Sequence, residues 1–316
     1  MSERPGVTGS VDLDVEVPTL LDGVRVDRAV SMLTGCTRSA SDALIGAGAV
    51  RVDGVAVAKG SQLLEAGQRL EATLAASDPD ALAAEPDVVF DVVVEDPAFL
   101  VVDKPAGLVV HPGAGQRTGT LAAGLLARYP GLATLGALDG AAPHRPGIVH
   151  RLDKGTSGLL VVARTPEAYA SLSAQLKARS MERRYVALVE GDVADETGVV
   201  DAPIGRSQRT PTKMAVRAGG RPARTAYRVL EHREPPPRTL LELRLESGRT
   251  HQIRVHLAAI GRPVVNDPRY GQHREPRLAQ GRVFLHAASL GFDHPVSGER
   301  VLVTSPLPAD LAALLA

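Results

Sequence analysis

Tryptophan is absent from this 316-residue chain, and aromatic residues make up only 3% of it. Ala, Val and Leu must therefore fill the core, and each aromatic beside a motif calls for individual inspection. A single cysteine, Cys36, excludes an internal disulfide and argues against a secreted disulfide scaffold. No segment approaches the roughly 20 apolar residues of a membrane span. The N-terminus MSERPGVTGSVDLDVEVP has no cationic start followed by an apolar run, so a soluble, cytoplasmic protein with no membrane partner is expected.

Several chemistry-bearing patterns are missing as well. There is no GxxxxGK[ST] phosphate loop, and GAGAVR (46–51) lacks the third glycine of a dinucleotide fingerprint. His251 and His256 are five apart, on opposite faces of a strand and about 140° apart on a helix. With one cysteine and no HExxH, no metal site is expected, and no cofactor. HRLD (150–153) shares letters with a kinase catalytic loop, but no Gly-rich loop, VAIK or DFG accompanies it.

What is present reads as globular: 44% hydrophobic and 23% charged residues. The formal charge is zero but unevenly spread. Between residues 76 and 100 stand Asp78, Asp80, Glu85, Asp87, Asp91, Glu95 and Asp96 without a cation, so the chain beyond residue 100 is net basic. A basic large domain is consistent with a phosphate-rich ligand. The acidic, proline-containing stretch 77–87 reads as a linker. It separates an N-terminal arm (1–19) and a small module (20–76) from a large domain (88–316).

In the module, Val26, Ala29, Val30 and Leu33 mark one face of an amphipathic helix, and SASDALIGAG reads as a second helix. Asp53-Gly54 between two short apolar runs signals a hairpin. In the large domain, strands are expected at VVFDVVVED, FLVVDKP, GLLVVAR, RRYVALVEG, TAYRVLEH, TLLELRLES and FLHAASLGF. Helices are expected near GTLAAGLLARY, PEAYASLSAQLKA, THQIRVHLAAIG and PADLAALLA. Long apolar parallel strands with regular crossover helices are lacking, so the expected class is α+β: a small αα-hairpin module, then a mixed, mainly antiparallel sheet.

The module's pattern, Gly23, Arg25, Asp27-Arg28, Arg38-Ser39, Leu44-Ile45, Gly48, Val50, Val52 and Asp53-Gly54, resembles the S4 RNA-binding domain. The resemblance implies that Arg28, Arg38 and Arg51 lie on a phosphate-facing surface. The module is charge-neutral, unlike a strongly basic RNA binder.

In IVHRLDKGTSGLLVVAR (148–164), apolar strand residues flank a turn that holds Asp153 between Arg151 and Lys154, a carboxylate available as base or nucleophile. The segment closely resembles the catalytic motif of RluA-type pseudouridine synthases. DPAFLVVDKPAGLVVHPG, RRYVALVEG, LESGRTHQIRVHLAAIGRPVVNDPRYG and LHAASLGFDHPVSGE match the same family in the same order, most closely its RluD-like large-subunit rRNA members. The resemblance implies an isomerase that flips uridines of structured RNA out of the stack and converts them to pseudouridine. Asp153 matches the essential aspartate, and Tyr185 an active-site tyrosine that stacks on uracil and accepts a proton. Arg249 matches the arginine that pairs with the aspartate, Arg151 a residue that enters the RNA stack, and Leu285 an apolar pocket contact. His251, Gln252 and Arg254 either face RNA or pack within their helix. Lys104 and His111 are expected to shape loops.

Structured RNA is thus the expected partner, large-subunit rRNA ahead of tRNA, for a protein acting as a monomer. The competing readings are a tRNA enzyme and a non-catalytic RNA-binding assembly factor on the same fold. A hydrolytic glycosidase ordinarily needs a second carboxylate flanking the bond, and no such partner is apparent.

Overall fold

A computed structural model describes residues 11–34, 36, 38–74, 82–113, 115–137 and 145–316. They form two compact units, Met1–Glu85 with Leu125–Pro146, and Pro86–Gly124 with Gly147–Ala316. The arm's first ten residues and the linker's residues 77–81 lie outside the described residues. Residues 125–146 group with the first unit rather than with the domain 88–316.

The first unit contains β1 (Val11–Glu16), α1 (Val26–Thr34), α2 (Arg38–Gly46), β2 (Val50–Val52), β3 (Val55–Ala56) and β4 (Arg69–Leu74). Its sheet runs β1-β4-β2-β3, antiparallel throughout. Residues 11–16 are thus a strand, not a free arm, for which the alternation V-D-L-D-V-E is the period-two cause. Asp14 on β1 also meets Arg69 of β4 at 2.6 Å. Val26, Ala29 and Val30 are buried as the helical spacing demands, together with Ile45, Val50, Val52 and Leu70. Leu33, expected on that face, is 39% exposed at the last turn of α1. The hairpin forms where Asp53-Gly54 calls for it, both residues taking positive φ between the paired Val52 and Val55.

The second unit is built on β5 (Asp91–Glu95), β6 (Phe99–Lys104), β7 (Ser157–Ala163), β8 (Glu182–Glu190), β9 (Thr197–Asp201), β10 (Ile204–Arg206), β11 (Met214–Val216), β12 (Arg224–Arg233), β13 (Arg238–Leu245), β14 (Leu285–Asp293) and β15 (Arg300–Thr304). Helix α3 (Leu121–Arg128) leads out of this unit; α4 (Pro166–Ala178), α5 (Gln252–Ala259) and α6 (Ala309–Leu315) belong to it. One sheet runs β5-β6-β7-β14-β8-β13-β12-β9 with β15 on β14, and β10 and β11 form a separate hairpin. Every pairing of this sheet is antiparallel except the short parallel contact of β7 with β14. The seven strands and four helices anticipated for this domain are all present, in a mixed, mainly antiparallel arrangement.

Leu241, Leu243 and Leu245 of β13 are buried while Arg244 between the last two is exposed. Helix α4 starts at Thr165, whose hydroxyl accepts from the Ala168 N–H at 3.2 Å, with Pro166 in the first turn. Its Ala168 and Leu172 pack with Phe99, Val101, Leu159, Val161, Leu290 and Phe292.

Gly158 marks the parallel β7–β14 contact. Its φ is 112°, and a Cβ there would lie 2.3 Å from the Ala287 carbonyl oxygen. Gly158→Ala is therefore expected to cost about 3 kcal/mol or more in strain and overpacking. A thermal melt lowered by less than about two degrees would contradict this close approach.

Candidate active site

The turn between His150 and Ser157 holds Asp153 four residues before β7, and the Thr156 N–H closes the turn onto the Asp153 carbonyl at 3.1 Å. The carboxylate lines a cleft of about 560 Å³, together with Arg151, His251, Arg254, Arg269 and Arg282. Its two cationic sequence neighbours are engaged by other side chains: Lys154 Nζ donates to Gln116 Oε1 at 3.0 Å, and Arg151 Nη1 lies 3.2 Å from His111 Nε2.

Arg254 of α5 pairs with the aspartate instead, its Nη1 donating to Asp153 Oδ2 at 2.9 Å. The same guanidinium donates through Nε and Nη2 to Asp267 Oδ2 and Oδ1, at 2.7 and 2.8 Å. One planar cation thereby bridges two carboxylates, which an ammonium could not do with the same geometry. Burial would lower the Arg254 pKa, but the bonds to Asp267 and the charge of Asp153 outweigh it and raise it. Asp267 is itself buried, which would raise its pKa. Arg254 and the backbone N–H groups of Arg269 and Tyr270, which donate to Oδ1 at 2.9 and 3.0 Å, lower it instead.

The expected partner of Asp153, Arg249, is elsewhere. Its Nε donates to the Pro222 carbonyl at 3.1 Å, and its backbone N–H donates to Gln252 Oε1 at 3.0 Å. The cause is local: His251 adopts φ 57°, so the helix begins at Gln252 and Arg249 stays on the preceding loop while Arg254 turns into the cleft.

His251 caps that helix and its orientation is fixed from behind. Tyr270 Oη accepts from the Met214 N–H at 3.1 Å and shares a hydrogen bond of 2.8 Å with His251 Nδ1. Its Nε2 faces Asp153 Oδ1 at 3.9 Å. Burial, only partly opposed by Asp153, holds this histidine below its ordinary value, so it is neutral near pH 7.

Tyr185 is 5% exposed on β8, and Leu285, at the start of β14, stands opposite Ala187 on the same face. Burial raises the Tyr185 phenol, Arg183 opposes that, and the Asp153 charge adds to it, so the tyrosine holds its proton at rest. Lys104 is fully buried and donates to the carbonyls of Pro105 and Leu108 at 2.7 and 3.0 Å, a loop-shaping role, while burial pushes its amine down to about 7. The sequence does not single out Asp267, Tyr270 or Arg282. Arg282 donates to Asp310 at 2.6 Å, to the Gly155 carbonyl at 3.0 Å and to Ser157 at 2.9 Å, bracing the turn that carries Asp153.

In the first unit, Arg28 and Arg51 are exposed, and Arg38 opens α2 with its side chain outside the described residues. Among the described residues no helix is long and apolar enough to cross a membrane, and no group of His, Cys, Asp or Glu could hold a metal ion.

Burial also holds the imidazoles of His150, His256 and His286 below their ordinary value, His150 down to about 3. In the unfolded chain these groups titrate near 6.5. As pH falls through that value the unfolded chain takes up protons that the folded protein refuses, so stability present above about pH 6.5 is lost on acidification. Each such group contributes about 1.4 kcal/mol per pH unit within its window. The melting temperature is expected to drop between about pH 7 and pH 5; a flat or rising profile would contradict this.

Comparison with known proteins places these features. The model of the RNA pseudouridylate synthase family matches residues 98–259. Ribosomal large subunit pseudouridine synthase D of Nitrosomonas europaea is 44% identical over 310 residues, covering 96% of this chain and 87% of its own length. The protein of that name from Pseudomonas aeruginosa is 43% identical over 319 residues, covering 95% and 93%. Among solved structures, human RNA pseudouridylate synthase domain containing 1 is similar with a TM-score of 0.56 and 29% identity, over 72% of this chain and 87% of its own. Agreement over nearly the whole length leads to one assignment: the chain belongs to the RNA pseudouridylate synthase family, enzymes that isomerise uridine within RNA.

Proposed function

We propose that this protein converts specific uridines of large-subunit ribosomal RNA to pseudouridine, with Asp153 as the reacting carboxylate. The observation that carries the reading is the Asp153 side chain held in the cleft by a single bond from Arg254, itself clamped by buried Asp267. The relatives named for the large ribosomal subunit, matched over most of both chains, support rRNA over tRNA.

The reaction breaks the N1–C1′ bond, turns the uracil in the site and joins C5 to C1′. N1 gains a proton and the C5 proton leaves to solvent, with no net redox change. One carboxylate is enough because the freed uracil stays bound as the acceptor. Arg254 fixes one oxygen of Asp153, and the neutral imidazole of His251 presents Nε2 to the other. Tyr185 supplies a ring for stacking on the uracil, and its retained proton makes it a donor rather than a resting base. Leu285, on the same sheet face as Tyr185, is the apolar residue we assign to contact the uracil. Flipping a base out of a helix costs a few kcal/mol. Stacking on Tyr185, and the exposed Arg151 entering the vacated position, offset that cost at about 1–3 kcal/mol for each stacked base.

We read the first unit as an S4-type RNA-binding module whose exposed Arg28 and Arg51 face phosphate. The protein acts as a monomer, in the cytoplasm where rRNA is made. Because the C5 hydrogen is lost, RNA transcribed with [5-³H]uridine reports turnover directly. Tritium release from a large-subunit rRNA transcript and not from tRNA transcripts is the expected result. Release from tRNA alone would replace the substrate, and release from neither would favour an assembly factor.

A further inference from the structure

Arg183 lacks the compensation that buried charges ordinarily have. It lies on β8 two residues from Tyr185, on the same face of the strand and about 7 Å along it. It is 6% exposed, comparable with Arg254 at 7% and Arg282 at 4%. Those two are saturated by carboxylates and carbonyls. Arg183 has no carboxylate within ion-pair distance and no hydrogen-bond partner among the described residues, and its Nε is sealed from solvent. A buried cation in this state is held at a cost to the fold, and its environment accordingly depresses its pKa, burial being the main cause.

The surroundings of Arg183 point to what compensates it. A Cβ on Gly248 would lie 2.9 Å from Arg183 Nη1, so the guanidinium ends directly beneath an exposed glycine that leaves its tip uncovered. Next in sequence is Arg249, anchored through Nε to the Pro222 carbonyl and likewise without a carboxylate partner among the described residues. Burial and the charges of Arg221 and Arg179 press on it, so further cations stand nearby. His150, close enough to feel the Arg183 charge, accepts the Val161 N–H through Nε2 at 3.1 Å and therefore carries its proton on Nδ1, a second buried donor without a partner among the described residues. Arg183 Nε and His150 Nδ1 thus each lack an acceptor among the described residues.

We propose that Arg183, beneath Gly248, forms with the adjoining Arg249 a subsite for a backbone phosphodiester of the RNA substrate beside the flipped nucleotide. This rests on the reading of RNA as the substrate of the Asp153 cleft. The phosphate completes the coordination of a cation that the free protein leaves unsatisfied, so the subsite is built at the expense of the unliganded fold. Gly248 is required because any side chain there would cover the Arg183 tip.

The test uses the full chain carrying Asp153→Asn, to separate binding from turnover, and a transcribed large-subunit rRNA hairpin that the wild type modifies. Binding is measured between about 50 and 200 mM salt. Arg183→Met, Arg249→Gln and Gly248→Ala are each expected to weaken binding and to reduce the slope of log K against log salt by roughly 0.7–0.9, the value for one phosphate contact. Arg183→Met is further expected to raise the melting temperature of the free protein, because it removes an uncompensated buried charge. A structural role would do the reverse, lowering the melting temperature and leaving the slope alone, and that result would overturn the proposal. An unchanged slope in Gly248→Ala, an exposed position that tolerates substitution for folding, would also overturn it. If the wild type leaves every rRNA hairpin unmodified, the rRNA reading falls instead, and the same slopes are read on a tRNA transcript.

Discussion

Asp153→Asn will abolish pseudouridine formation while leaving the fold intact. Asparagine is isosteric and keeps one oxygen to accept the Arg254 Nη1 bond, and the side chain it replaces is 16% exposed. The cost to stability is therefore expected to be small, about 1 kcal/mol. What disappears is the charged oxygen available to react at the nucleoside or to take its proton. The loss is expected to reach about 10⁴-fold, the upper end for removal of a positioned acid–base group. Single-turnover tritium release measures it, with a thermal melt as control. Activity within about tenfold of wild type, at unchanged melting temperature, would exclude Asp153 as the reacting group.

Arg254→Ala is expected to damage both stability and catalysis. The side chain of Asp267 is 0% exposed, and without the guanidinium its carboxylate keeps only the backbone N–H groups of Arg269 and Tyr270. Stranding one member of a buried ion pair costs about 3–5 kcal/mol. The melting temperature should accordingly fall by roughly 10 °C in a chain of this size. The same change releases Asp153 Oδ2, so activity is expected to fall by about 10²–10³-fold even at temperatures where the variant is folded. Arg254→Lys should not rescue it, because one ammonium cannot serve both carboxylates in the fork geometry. Adding Asp267→Asn to Arg254→Ala should recover much of the stability but none of the activity, since it removes the stranded charge without restoring the grip on Asp153. If the stability losses of Arg254→Ala and Asp267→Asn simply added in the double variant, the Arg254–Asp267 clamp would have no energetic content.

The contrast between Arg254 and Arg249 marks the limit of what the sequence discloses. Both arginines belong to one motif, GRTHQIR, and nothing in its spacing says which faces the aspartate. The choice is made by the left-handed backbone of His251, which delays the helix to Gln252 and leaves Arg249 on a loop against Pro222. Asp267 is invisible in the sequence for a related reason: its importance lies wholly in a contact with a residue thirteen positions away. The turn carrying Asp153 is legible because its apolar flanks and its motif are local in the chain. The long strands of the large domain are legible because alternation such as Leu241, Leu243 and Leu245 persists over a full strand. Strands β9 and β15 are not, because each is five residues long with no fully buried position, so no strong apolar period marks them. Strand β1 reads as an arm because its three acidic residues outweigh its alternation, yet two of those acids sit across from Glu71 and Arg69 in the ladder.

The most direct test of the proposed activity is a map of pseudouridine across rRNA and tRNA from cells lacking this gene, complemented with wild type or with Asp153→Asn. Specific large-subunit rRNA positions are predicted to lose pseudouridine, and only the wild-type chain is predicted to restore them. Loss of no position, or restoration by Asp153→Asn, would contradict a uridine isomerisation carried by Asp153.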